Sequence, residues 1–155
     1  MQVVVVIGAA GKMGTRITSR LRDDPDYRLI YVESGPGLQR LRERGLTPTP
    51  LDEAARQGDI FVLAVPDVII GQVAHELVPR VRPGALIVCL DPAAPYAGKL
   101  PKRADVSYFV THPTHPLLFH DEPDPEARRD YFGSGKAHQC IVNALVQGPE
   151  ADYAR

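Results

Sequence analysis

At 155 residues, with 18 Lys and Arg against 19 Asp and Glu for a formal net charge of −1, the chain is one domain's worth of polypeptide, long enough to bury a core. It has no basic block, which argues against nucleic acid or an anionic membrane as partner, and no apolar run of membrane-spanning length. Cys89 and Cys140 both fall in apolar strand-like runs and read as reduced core residues rather than a disulfide pair. The N-terminus reads as a buried strand and not a signal peptide, so the expected location is cytoplasmic.

The first stretch, Val3-Val4-Val5-Val6-Ile7, is a run of β-branched residues of the kind buried on both faces of a parallel sheet. Glycines follow at Gly8, Gly11 and Gly14, and then a helix with Met13, Ile17 and Leu21 spaced by four on one face. A strand, a glycine turn and a helix N-terminus in succession make a phosphate cradle. The backbone comes close, and the first helical N–H groups lack intrahelical acceptors. The spacing is G-x-x-G-x-x-G, a variant of the dinucleotide fingerprint with its middle glycine displaced by one. Gly8, Ala10, Gly11, Lys12, Met13 and Gly14 are therefore candidate cofactor contacts.

A second apolar strand, Leu29 to Val32, ends at Glu33, 25 residues after Gly8. That is close to the spacing of about 20 residues for the carboxylate that holds the adenosine ribose hydroxyls. A carboxylate there repels a 2′-phosphate, and Ser34 to Gly37 supply no arginine to neutralise one; Arg40, Arg42 and Arg44 fall on what reads as an exposed helix face. NAD is favoured over NADP.

A short helix with a stop at Gly45 comes next, then a short extended piece at Thr47-Pro48-Thr49-Pro50 that reads as a weak third strand. Asp52 is placed to cap a brief helix from Glu53 to Arg56. Ile60 to Val65 is the fourth strand, Val68 to Val78 a helix, and Ala85 to Leu90 the fifth strand. A Pro/Ala-rich link, Asp91 to Pro101, leads to the sixth, Ser107 to Thr111. This alternation predicts a doubly wound α/β fold of Rossmann type, a mostly parallel sheet with helices on both faces. Ala64, Val65 and Pro66, at the carboxyl end of a central strand, are candidates to line the cofactor.

After Thr111 the pattern reads as a loop carrying His112, His115 and His120 with Asp121 and Glu122. Oxidation of an alcohol needs a base for the hydroxyl proton, and a histidine suits that task. His112, directly after the strand, is the first candidate and His115 the second. The H-x-x-H spacing also permits a metal, but a proline after each of these two histidines disfavours the helical ligand geometry, and no metal is assigned. Lys136 is a candidate to orient a substrate carboxylate or to act as an acid. A short helix is expected within Asp124 to Phe132, and a further strand from Gln139 to Val146. Pro149 then opens a new helix, with acids in its first turn. The expected organisation is one dinucleotide-binding domain, 1–148, with 149–155 starting a helix that leads to a helical C-terminal domain not contained in the chain.

With these residues assembled, the chain resembles the NAD-binding half of the 6-phosphogluconate dehydrogenase-like group of β-hydroxyacid dehydrogenases, and within it the D-apionate oxidoisomerase branch. The resemblance is carried by the turn from Gly8 to Gly14, by Ala64-Val65-Pro66-Asp67, by Thr111-His112-Pro113-Thr114-His115-Pro116 and by Leu145-Val146-Gln147-Gly148-Pro149-Glu150. It implies NAD-dependent oxidation of a hydroxy or sugar acid, coupled in the oxidoisomerase to a skeletal rearrangement. It also implies a helical domain that completes the site and makes a homodimer. The chain lacks the lysine-histidine-asparagine helix motif of 6-phosphogluconate dehydrogenase itself. Its His-Pro step is similar to that of prephenate dehydrogenase, and a cofactor-binding module without catalysis is the alternative of another class. Replacing Glu33 by Ala is expected to weaken NAD by about tenfold, the worth of one charge-assisted hydrogen bond, and to narrow its margin over NADP. Titrating both nucleotides against the variant checks this, and an unchanged ratio would remove Glu33 from the ribose.

Overall fold

The computed structural model describes residues 1–114, 121–130, 136 and 140–155. Among these residues six strands form one sheet in the order β2-β1-β3-β4-β5-β6. They are β1 (Gln2–Ile7), β2 (Tyr27–Val32), β3 (Ile60–Leu63), β4 (Leu86–Cys89), β5 (Ser107–Thr114) and β6 (Cys140–Gln147). The first five are parallel, and β6 runs antiparallel to β5. The helices are α1 (Lys12–Leu21), α2 (Pro36–Glu43), α3 (Leu51–Gln57), α4 (Asp67–Leu77) and α5 (Ala93–Tyr96). The doubly wound α/β reading holds. No helix among the described residues is long and apolar enough to cross a membrane.

Alternation along each strand builds a core on both faces of the sheet. Val5, Ile7, Phe61, Leu63 and Ile87 meet Ala54, Ala55, Ile70, Ala74 and Leu77 from α3 and α4 on one side. Val4, Val6, Val62 and Val88 face the other side, where Ile17 and Leu21 of α1 and Leu41 of α2 close over them. This is why the valine run needs no polar member: neither face of β1 meets water.

Several local expectations are corrected. Thr47 to Pro50 does not form a strand; a single bridge joins Pro48 to Tyr31, because two prolines in four residues remove the donors that a ladder needs. Asp52 does not cap α3. Pro50 is the N-cap, and Asp52 lies in the first turn, where its charge suits the helix dipole. Residues 111–114 are not loop but the continuation of β5, paired from Thr111↔Asn143 to Thr114↔Cys140. Pairing with β4 stops at Val110, so beyond that point one side of β5 is open, and Pro113 is tolerated there without an N–H. The helix expected within 124–132 is a single 3-10 turn, Ala127–Arg129; 131 and 132 lie outside the described residues. Cys140 is exposed on β6 rather than in the core, whereas Cys89 is fully buried and its thiol is pushed up to about 12 by desolvation, with Asp91 contributing.

The segment after Pro149 is a 3-10 turn, Glu150–Ala154, folded back on the sheet. The Tyr153 ring meets Phe109 edge-on at 5.4 Å between centroids. Asp152, buried, accepts a hydrogen bond from the Ser107 hydroxyl and pairs with Arg155 at 3.1 Å. The Ser107 hydrogen bond, then Arg155, hold the Asp152 carboxyl below its ordinary value. A depressed carboxyl stabilises the fold above its unfolded value of about 4 and loses that contribution as pH falls through the folded value. Urea midpoints measured from pH 6 down to pH 3 are therefore expected to fall less steeply for Asp152→Asn than for the wild type.

Candidate functional site

The chain leaves β1 by a turn that only glycine permits. Gly8 has φ +82°, and a Cβ on it would sit 2.4 Å from the Ala64 carbonyl oxygen at the end of β3. Its amide donates to the Val32 carbonyl at the end of β2. A Cβ on Gly14 would lie 2.2 Å from the Gly8 carbonyl oxygen and 2.7 Å from the Ala9 Cα, so α1 lies against the turn at backbone contact. Gly11 is the N-cap of α1, with no side-chain cap, and its amide donates to the Gly8 carbonyl at 3.0 Å. The first turn of α1 thus opens on the carboxyl edge of the sheet with amides that have no intrahelical acceptor. The chain reverses direction across the sheet between β1 and β3, the switch point at which open α/β sheets bind ligands.

A cleft of about 450 Å³ lies there. Gly11, Lys12 and Met13 form one wall, Ala64 to Asp67 the floor, and Leu90, Asp91, His112 and Pro113 the far side. This wall–floor arrangement fits a dinucleotide: a glycine turn on which a Cβ would intrude, a helix N-terminus, and apolar strand ends beyond.

His112 reaches the cleft because β5 runs on past the end of β4. Its Nδ1 lies 2.9 Å from the Leu90 carbonyl oxygen and 3.7 Å from Asp91 Oδ2. A carbonyl only accepts, so Nδ1 carries the hydrogen. In the neutral ring the basic lone pair is then on Nε2.

Glu33 is brought to the glycine turn. Its Oε1 accepts the Ala10 amide at 2.6 Å and its Oε2 the Ser34 amide at 3.0 Å. The Ala10 N–H is thereby committed to Glu33. Arg44 is not merely on an exposed helix face. It follows α2 and donates to the Ala9 carbonyl at 3.3 Å and the Thr15 hydroxyl at 2.8 Å, so a guanidinium does reach the turn. Lys136 is not among the residues of the cleft; its Nζ pairs with Glu126. His115 and His120 lie outside the described residues. Among the described residues no cluster of His, Cys, Asp and Glu could hold a metal ion. Sequence reasoning missed Asp91, which it took as the start of a linker. The available signal was an acid followed by proline at the end of a central strand, the mirror of Val65-Pro66-Asp67 one strand away.

Residues 120–155 match the family described as phosphogluconate dehydrogenase (decarboxylating), C-terminal. The D-apionate oxidoisomerase of Cupriavidus necator is 52% identical over 152 residues, covering 97% of this chain and 55% of that protein. The D-apionate oxidoisomerase of Rhizobium rhizogenes is 47% identical, over 99% of this chain and 56% of its own length. The family match is thus confined to the last stretch of the chain, while nearly its whole length is similar to proteins named D-apionate oxidoisomerase. A crystal structure of a semialdehyde dehydrogenase NAD-binding protein from Cupriavidus necator, in complex with calcium and NAD, superposes with a TM-score of 0.83 at 49% identity, over 99% of this chain and 56% of that one. The chain spans about half the length of the curated relatives it matches.

The contact of Gly14 with the turn sets a quantitative expectation. Gly14→Ala places a methyl group against backbone that cannot swing aside, and should cost about 1–3 kcal/mol, read as a lowered urea midpoint at unchanged m-value.

Proposed function

We propose that the cleft binds NAD along the glycine turn, and that this half of the protein serves an NAD-dependent oxidoreductase acting on a hydroxyl of a sugar acid of the D-apionate class. The observation that carries the reading is His112, its Nδ1–H held by the Leu90 carbonyl, opening on the same cleft as the first turn of α1. The near relatives named as D-apionate oxidoisomerases, and the NAD in the similar crystal structure, support the substrate class and the cofactor.

The roles of the residues follow from their positions. The first-turn amides of α1 and the dipole behind them take the pyrophosphate. Glu33, anchored by two backbone amides, offers its remaining lone pairs to the ribose hydroxyls. Val65 and Pro66 form the floor beside the reacting ring. Bound NAD supplies the hydride acceptor. Nε2 of His112 takes the hydroxyl proton as the carbon is oxidised to a ketone, so that the ring becomes imidazolium.

Calorimetric titration of NAD tests the binding step. Gly11→Asp, which sets a carboxylate where the phosphates belong, should abolish binding while the circular dichroism spectrum and urea midpoint stay near those of the wild type. NADH formation with D-apionate, measured on protein that includes the C-terminal region expected from the sequence, tests the chemistry. His112→Ala should lower turnover by about 10²–10⁴-fold and leave NAD affinity within a factor of about two. A wild-type protein that does not bind NAD, or a Gly11→Asp variant that binds it as well, would overturn the reading.

A further inference from the structure

The proton on the far nitrogen of His112 has one hydrogen-bond acceptor, and a carboxylate stands beside it. The Leu90 carbonyl at 2.9 Å is the direct partner. Asp91, the next residue, places Oδ2 at 3.7 Å from the same nitrogen, with its side chain about one-fifth exposed. Both strands deliver these groups by continuing their register: β4 and β5 pair in parallel up to Cys89↔Val110, and Asp91 and His112 each lie two residues further on. The carboxylate is itself fixed. Its other oxygen, Oδ1, accepts the Ala93 amide at 2.7 Å at the start of α5. Lys12, from the wall formed by α1, and Asp67, from the floor, line the same cleft.

We propose that Asp91 is the positioning residue of His112. The Leu90 carbonyl sets the Nδ1–H tautomer, and Asp91 faces the positive charge that appears when Nε2 accepts a proton. The inference rests on the reading of His112 as proton acceptor, and it adds to that role a residue that acts through the ring. The physical logic is that of an acid behind a histidine: the carboxylate stabilises the imidazolium without taking the proton.

The geometry makes Asp91→Asn a directed test. The asparagine oxygen must keep the Ala93 amide, so the NH2 group lands where Oδ2 was. The charge is lost while the Leu90 hydrogen bond to the ring is kept. In protein labelled with ¹⁵N-histidine, two-bond ¹H–¹⁵N correlations report which ring nitrogen is protonated, and the His112 signals are assigned by their loss in His112→Gln. Nδ1–H is expected in the wild type and in Asp91→Asn alike, because the Leu90 carbonyl accepts it in both. With NAD and D-apionate, Asp91→Asn should lower kcat on the order of tenfold or more at unchanged KM for NAD, and Asp91→Glu should recover part of the loss. With an active wild type, an unchanged kcat in Asp91→Asn, or a fall in NAD affinity in place of kcat, would overturn the proposal. A wild type that forms no NADH would overturn the reading of His112 and the proposal with it.

Discussion

Everything at the carboxyl edge depends on one contact between backbones: the turn after β1 lies directly on the end of β3 and under the start of α1. Side chains at 8 or 14 would stand 2.4 Å and 2.2 Å from carbonyl oxygens, so the absence of a Cβ is what lets three elements meet. The Gly8 amide is bonded to the end of β2 and the Ala64 amide to the end of β1. The turn is thus cross-tied to both neighbouring strands. A helix N-terminus held this rigidly can present amides to an anion with little ordering left to lose on binding.

Much of this was legible in the sequence. The valine run, the glycine spacing and the acid after the second strand all carry local physics. A fully buried parallel strand has no polar member, a positive φ needs glycine, and a strand end points at the ligand edge. What was not legible depended on partners distant in the chain. Residues 111–114 look like a loop because of Pro113, yet β6 pairs along them from about 30 residues away. Cys140 sits in an apolar run but on an outer strand, where apolar composition does not imply burial. Arg44 could not be placed from helical periodicity, since its reach to Ala9 and Thr15 crosses from α2 to α1.

The site was legible in the same uneven way. The position of His112 at the ligand edge was legible because it follows a strand directly, and the fold sets it on the cleft. The position of Asp91 beside it was not, because it comes from lying beside β5, which the sequence does not announce. Adjacent parallel strands that end in the same layer bring residues 21 positions apart into one pair. Lys136, a lone lysine after a glycine pair, was legible as a candidate, and the fold pairs its Nζ with Glu126.

β6 closes the sheet order, eight residues long, with Ile141, Val142 and Val146 each at least half exposed. Neither charge nor proline interrupts it, the two devices by which natural sheets blunt an outer edge. Such a strand is a template for further strand addition. Strand addition of that kind would take place far from the glycine turn, at the opposite margin of the sheet from β2.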